Sequence, residues 1–245
     1  MSATIFRRVS AMLVVGAAAL LQAQLAGSPG QISGTVVGDD GKPLVGVFVT
    51  YTRSSASPND SVPPGGGTAT GVAGAYSFNS LIPATYKLCP NAPPNSGLIM
   101  TCAWALRPPV IVLQAGQHVS GNTIVMHKGT VLRIRVADPK NLVPVTDWMR
   151  GPTNLVTGVW TADGLFHRAH LRSGGNGNLE FVMAVPSQIT LQPYIAGANL
   201  AIDAGSGAPV SPQGVSASLK TAAIGSEQVL SYRITGVTTP QPGRR

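Results

Sequence analysis

The sequence is poor in the residues that carry catalysis and metal binding. Among its 245 residues are nine Asp and Glu and four His, and aromatic residues make up 5% of the chain. No G-x-S-x-G, H-E-x-x-H or phosphate-cradling glycine motif occurs. His167 and His170 are three residues apart, which places them on opposite faces of one strand and disfavours a shared metal ion. We therefore predict a protein that is not an enzyme, with no catalytic, cofactor-binding or metal-binding residues.

Long apolar runs are also scarce. The main one, residues 12–21, follows Arg7 and Arg8 and precedes small residues and glutamines around Ala23, Gln24 and Ala26. That order is typical of a secretory signal peptide, and the run has about half of the ~20 residues that a transmembrane helix needs. An uncleaved anchor is the alternative. We expect residues 1–26 to be removed and the mature protein to be secreted, periplasmic or held in the cell envelope, with no membrane span.

The mature chain is rich in Gly, Pro, Thr and Val, which favour turns and short strands over helices. No long stretch has helical periodicity, so the predicted fold class is all-β. Asp39-Asp40-Gly41-Lys42-Pro43 predicts a hairpin turn, residues 68–78 a second hairpin, and Gly65-Gly66-Gly67 a linker. Strands are predicted at 31–37, 44–52, 68–70, 74–78, 85–89, 100–105, 110–114, 122–127, 131–136, 155–161, 165–171, 179–185, 189–194 and 229–237.

An ordered set of glycine, proline, apolar and aromatic residues runs through ISGTVVGDDGKPLVGVFVTYT and TATGVAGAYSFNSLIPATYKL. Its members are Gly34, Val36, Gly41, Pro43, Leu44, Gly46, Val47, Val49, Gly74, Tyr76, Phe78, Leu81 and Tyr86. In this order and register the set resembles the carboxypeptidase-regulatory-like (transthyretin-like) domain family, with Ala84 where that family usually has glycine. The resemblance covers residues 31–127 and implies a seven-stranded, prealbumin-like β-sandwich that is not itself catalytic.

Tyr76 and Phe78 are two residues apart and so face the same side of a strand, where they would fill a sandwich core with Tyr86 and Val47 as neighbours. Beyond residue 127 the resemblance fades. Alternation there predicts a second β-sandwich-like domain over residues 128–237, and the Pro-rich residues 238–245 read as a disordered tail.

The chain has two cysteines, Cys89 and Cys102, both placed by the sequence in the first domain. An even count in an exported chain predicts a disulfide, and neither a CxxC motif nor a histidine at metal-finger spacing offers an alternative. A disulfide between Cys89 and Cys102, which are 13 residues apart, would stabilise the fold by roughly 3 kcal/mol.

The net charge of +8 lies mostly in the second half, where residues 128–245 hold eleven Lys and Arg against six Asp and Glu. Apart from Arg133 with Arg135 and Arg168 with Arg172, the cations are scattered. This pattern favours a solvated basic face over nucleic-acid binding.

Three functions remain. The leading hypothesis is a non-catalytic structural or interaction protein of the bacterial cell envelope or exterior, which binds extracellular proteins through sandwich edges or the loops near 53–66 and 90–98. The alternative is a carbohydrate-binding module, with Trp148 and Trp160 as candidate ligand platforms and Trp104 assigned to core packing. The third, implied by the family resemblance, is an accessory domain that acts in trans on a peptidase.

Overall fold

A computed structural model describes residues 28–54, 64–93, 96–104, 107–145, 151–207, 210–211 and 214–238. Within them the chain forms sixteen β-strands and no α-helix, and its one helical element is a 3-10 turn at Val72–Gly74. The all-β prediction is confirmed. The predicted signal peptide, Trp148 and all but Thr238 of the predicted tail lie outside the described residues.

The chain divides into two compact units. The first comprises Met1–Asn91 and Ala105–Met126, and the second comprises Ala92–Trp104 and His127–Arg245. The segment Ala92–Trp104, which the sequence placed in the first domain, is therefore grouped with the second unit.

The first unit is a sandwich of seven strands in two sheets. The strands are β1 (Gly30–Gly38), β2 (Phe48–Arg53), β3 (Gly65–Ala69), β4 (Ala75–Leu81), β5 (Ala84–Asn91), β6 (Val110–Leu113) and β7 (His118–Met126). One sheet has the order β4-β1-β7 and the other β3-β2-β5-β6. β1 pairs antiparallel with β4 and parallel with β7.

Apolar residues from both sheets fill this sandwich. Tyr76 and Phe78 face the core as predicted, 4% and 5% exposed, and Tyr86 and Val47 are buried with them. The ring of Tyr51 meets the ring of Phe78 edge to face, with centroids 4.9 Å apart. Such edge-to-face contacts add to the stabilisation that burial provides.

The predicted turn at Asp39–Pro43 forms, but the antiparallel pairing beyond it is short. The Gly38 amide donates to the Lys42 carbonyl at 2.9 Å, and Gly41 has the positive φ that the turn requires. Beyond a single bridge between Val37 and Pro43, however, the chain crosses to the opposite sheet, where β2 pairs with β3 and β5. The Leu44 amide still donates to the Val36 carbonyl at 2.9 Å, so the pairing with β1 continues past Pro43 and stops after Leu44.

The second predicted hairpin is wrong. β3 pairs with β2 and β4 pairs with β1, and the 3-10 turn at Val72–Gly74 connects the two sheets. Nor is Gly65-Gly66-Gly67 a linker, because it begins β3. A Cβ on Gly66 would lie 2.8 Å from the Tyr51 ring and one on Gly67 2.7 Å from the Phe48 ring, so glycine there makes room for the cross-strand aromatics.

The second unit is a sandwich of nine strands. These are β8 (Thr130–Ala137), β9 (Leu155–Trp160), β10 (Phe166–Arg168), β11 (His170–Gly175), β12 (Asn178–Val185), β13 (Thr190–Gly197), β14 (Leu200–Ala204), β15 (Leu219–Lys220) and β16 (Glu227–Val237). A four-stranded sheet has the order β10-β9-β13-β15 and a five-stranded sheet the order β11-β12-β8-β16-β14. The predictions for this half correspond to strands, except that 165–171 divides into β10 and β11 and that β14 and β15 were not predicted.

One core cluster joins the inner faces of these two sheets. Its most buried members are Leu132, Ile134, Val136, Leu155, Val159, Val185, Leu191, Ile195 and Ile234. Residues of the segment Ala92–Trp104 also pack in this unit. Leu98 and Ile99 are buried, the Ile99 amide donates to the His127 carbonyl, and residues 101–104 form a turn instead of the strand predicted at 100–105.

Candidate functional site

The outer face of the four-stranded sheet carries three aromatic rings, which we call the aromatic cluster: Trp160, Phe166 and Tyr194. In β9 the buried side chains are those of Leu155, Thr157 and Val159, so strand alternation turns Trp160 outward. The register brings the rings together, because Trp160 pairs with Phe166 across the β9–β10 hairpin and Tyr194 pairs with Gly158 on the other side of β9.

The three rings contact one another at interplanar angles between 46° and 88°. Ring centroids are 5.1 Å apart for Trp160 and Phe166, 5.3 Å for Phe166 and Tyr194, and 6.1 Å for Trp160 and Tyr194. The cluster surrounds Gly158, where a Cβ would lie 2.9 Å from the Phe166 ring. All three residues are partly exposed. The cluster is therefore an apolar surface fixed by mutual packing.

Polar side chains border the aromatic cluster. Gln192 pairs with Trp160 and Arg168 pairs with Gly158, and both residues are exposed. An aromatic surface beside an amide and a guanidinium can contact the C–H face of a sugar ring and hydrogen-bond its hydroxyl groups.

Sequence reasoning selected Trp160 but missed Phe166 and Tyr194. Trp160 and Phe166 flank the predicted turn Ala162-Asp163-Gly164, and a hairpin at that turn makes them cross-strand neighbours, so a signal for Phe166 was present. Tyr194 could not be found in this way, because its place depends on the pairing of β9 with β13, more than 30 residues away.

Trp104 packs against the core of the second unit, in agreement with its predicted role. Its ring stacks on the imidazole of His167, with centroids 3.8 Å apart and an interplanar angle of 9°. Burial lowers the pKa of His167, and the nearby Asp163 carboxylate acts in the opposite direction. His167 is thus a buried histidine whose neutral form is favoured.

His167 and His170 differ in exposure, as predicted, but they lie on two separate strands and not on one. His167 is buried in β10, whereas His170 is exposed in β11. Among the described residues no group of three or more His, Cys, Asp and Glu side chains could hold a metal ion. No helix in the described part of the chain is long and apolar enough to cross a membrane.

The outer face of the five-stranded sheet carries a second notable group, which we call the arginine cluster: Arg133, Arg135, Arg172, Glu180 and Glu227. The Glu180 carboxylate accepts from Arg133 at 2.9 Å, from Arg135 at 3.3 Å and from Arg172 at 3.3 Å. Arg133 also contacts Glu227 at 2.7 Å. The predicted solvated basic face is therefore wrong at Arg133, whose side chain is 16% exposed and paired with two carboxylates.

These contacts keep Glu180 ionised. Burial alone would raise the pKa of Glu180, but hydrogen bonds and attraction from Arg135, Arg133 and Arg172 outweigh it and lower that pKa below its usual value. The pKa of Arg133 is raised in turn, chiefly by its hydrogen bond to Glu227. The sequence could not show this network, because its members lie on four separate strands, β8, β11, β12 and β16.

The predicted disulfide is confirmed. Cys89 lies in β5 and Cys102 in the turn at residues 101–104, and both are disulfide-bonded.

No protein-family model matches the chain, and no curated protein matches it by sequence. Among solved structures it is similar to a streptococcal ancillary pilin, with 13% identity, a TM-score of 0.40, and coverage of 87% of this chain and 63% of that one. It is similar to the Bacillus anthracis TIE protein, with 14% identity, a TM-score of 0.33, and coverage of 84% and 34%. The Streptococcus agalactiae minor pilin GBS52 has 12% identity, a TM-score of 0.32, and coverage of 88% and 100%.

This chain therefore spans about a third of the length of the TIE protein and under two thirds of the ancillary pilin. Likeness at this level of identity and TM-score transfers no function to it.

Proposed function

We propose that this chain is an exported, non-catalytic protein that binds other proteins of the bacterial cell envelope or exterior. The observation that carries this proposal is the edge strand β6 of the first unit. Ile111 and Leu113 point into the core, whereas Val110 and Val112 point outward and are each 62% exposed.

β6 ends its sheet, and among the described residues no strand pairs with its outer edge. An edge that shows exposed β-branched side chains and carries no lysine or glutamate is a template for strand addition, in which a partner's extended segment continues the sheet. Main-chain hydrogen bonds would supply the affinity of such a contact, and the two valines would contact alternate side chains of the partner.

The two loops predicted from the sequence as binding surfaces, near 53–66 and 90–98, contribute less to this proposal. Residues 55–63 lie outside the described residues, and in the segment near 90–98 Leu98 is buried within the second unit. Binding is therefore assigned to the β6 edge.

A photo-reactive amino acid at Val112, introduced in the cells that produce the chain, tests this proposal. We expect one defined protein adduct at Val112, which Val110→Lys abolishes because an edge lysine blocks strand addition. The same photo-reactive residue at Val45, which is 67% exposed outside any strand, is the control. Absence of an adduct at Val112, or equal adducts at both positions, would contradict the proposal.

The second candidate function is polysaccharide binding, favoured by the aromatic cluster on the second unit. The test is co-sedimentation of the oxidised mature protein with insoluble polysaccharides and with the host's peptidoglycan. Saturable binding that Trp160→Ala removes, and that Phe48→Ala in the first unit leaves unchanged, would support it. No binding by the wild type would remove it. The proposed role of Trp148 is tested by Trp148→Ala in the same assay.

We further propose that residues 31–127 form a carboxypeptidase-regulatory-like domain, followed by a second domain over 128–237 and a disordered tail over 238–245. The seven strands of the first unit and the burial of Tyr76 and Phe78 support the first assignment. Export through cleavage after about residue 26 is tested by N-terminal sequencing of the mature protein. Action in trans on a peptidase ranks third, because it rests on the resemblance alone.

A further inference from the structure

Two members of the arginine cluster, Arg135 and Glu180, line a depression of about 400 Å³ in the five-stranded sheet. Register explains its shape. Ser231, Arg135, Glu180 and Ser173 lie in one row across β16, β8, β12 and β11. The small serine side chains at the two ends of the row leave space on either side of the charged pair.

The guanidinium groups of the cluster retain donors that Glu180 does not use. Arg135 is 58% exposed and contacts Glu180 through Nε, and Arg172 is 39% exposed and contacts it through one terminal nitrogen. Each guanidinium has five N–H donors in a planar fork that suits a carboxylate. Because both groups bond to the same carboxylate, they are held close together and in a fixed orientation.

The charges of the arginine cluster do not balance. Three guanidinium groups face two carboxylates, so one positive charge is left over on a unit that is itself basic. Since the shared carboxylate of Glu180 orders the arginines before any ligand arrives, a bound anion would lose less entropy in positioning them.

The polar side chains that line the depression indicate which kind of anion fits. Ser173, Ser231 and Asn178 offer hydroxyl and amide groups beside Arg135. Glu180 and Glu227 repel a ligand of high charge density, and a nucleic acid calls for a row of cations with stacking aromatics. A polymer with one carboxylate per sugar has a low charge density, and the hydroxyl groups on either side of that carboxylate match the polar side chains of the depression.

We propose that this face binds a uronate-bearing polysaccharide, with Arg135 and Arg172 holding the sugar carboxylate and Ser173 and Ser231 contacting its hydroxyl groups. This site is separate from the β6 edge and from the aromatic cluster, so it stands or falls independently of the proposed function.

The test is isothermal titration of the full mature chain, at physiological salt, with oligogalacturonate and with its methyl ester, which has the same backbone without charge. We expect saturable binding of the acid only. Arg135→Gln and Arg172→Gln should each weaken binding about tenfold or more, as expected for the loss of a charge-assisted hydrogen bond. Lys220→Gln, an exposed cation of the same unit, should change it less than twofold.

Thermal unfolding of each variant checks that it folds. We expect the variants to fold, because the side chains of Arg135 and Arg172 are exposed. Three outcomes would overturn the proposal: no saturable binding of the acid, equal binding of the methyl ester, or an equal loss in Lys220→Gln, which would mean diffuse charge attraction. Tighter binding of a short DNA duplex, lost in the same variants, would reassign the face to polyanions of another class.

Discussion

Replacing Gly34 with alanine in β1 is expected to destabilise the first unit by about 2 kcal/mol. A Cβ at this position would lie 1.9 Å from the Asn122 carbonyl oxygen and 2.7 Å from the Tyr76 hydroxyl. Ordinary carbon–oxygen contacts are about 3.3 Å or longer, so β1 and β7 must separate by more than 1 Å. Overpacking of this kind costs about 1–3 kcal/mol, and the contact with rigid backbone places Gly34 near the upper limit.

Two further effects modify this value. The hydrogen bond that the Tyr76 hydroxyl donates to the Asn122 carbonyl, at 3.3 Å, is lost as the strands part. In the other direction, alanine restricts the unfolded chain more than glycine does, which stabilises by about 0.4–1 kcal/mol. The balance remains destabilising, and for a unit of this size about 2 kcal/mol lowers the melting temperature by roughly 8–16 °C.

Urea unfolding followed by tyrosine and tryptophan fluorescence measures this loss. The matched control is Gly71→Ala, where φ is −89° and the nearest atom to the new Cβ is 4.0 Å away, so no destabilisation is expected. If Gly34→Ala were as stable as Gly71→Ala, the close approach of β1 and β7 would not be the reason for glycine at this position.

Removing the Cys89–Cys102 disulfide with paired serine substitutions should cost roughly 3 kcal/mol, and thiol reductant should lower the melting temperature of the wild type only. Glu180→Gln should cost about 2 kcal/mol at pH 7. Because the pKa of Glu180 is lowered in the folded state, the stability difference from wild type should shrink as pH falls below about 4.5. Trp104→Ala should raise the pKa of His167 toward its ordinary value in an NMR titration, because burial beneath the indole lowers that pKa; an unchanged pKa would mean that other groups bury the imidazole. In the wild type, the unfolded chain takes up this proton first, so stability should decline as pH drops below about 6.5.

Strand positions could largely be predicted from the sequence, because side-chain alternation is a local property. Tyr76 and Phe78 are buried together and Leu132, Ile134 and Val136 face the core, as their spacing indicates. Strand pairing could not be predicted so well. The Asp39–Pro43 turn has the residues of a hairpin, yet the chain crosses between sheets there, since the same alternation satisfies a strand in either sheet.

In the candidate sites too, local alternation could be predicted from the sequence, whereas contacts between distant strands could not. Alternation in β9 places Trp160 on an outer face, whichever strands lie beside it. Its neighbour Tyr194 and the partners of Glu180 depend instead on pairings between distant strands. These pairings follow from how the whole core packs, which no local pattern encodes.

The arginine cluster also has a consequence for strand register. Glu180 lies opposite Arg135, and Leu179 and Phe181 on either side of it are buried. A slip of one residue between β8 and β12 would turn the Glu180 carboxylate toward the core and remove its contacts with Arg133, Arg135 and Arg172. The charged contacts on the outer face therefore penalise the same misalignment that the apolar inner face penalises. This double constraint keeps Glu180 on the outer face, where it contacts Arg135 and Arg172.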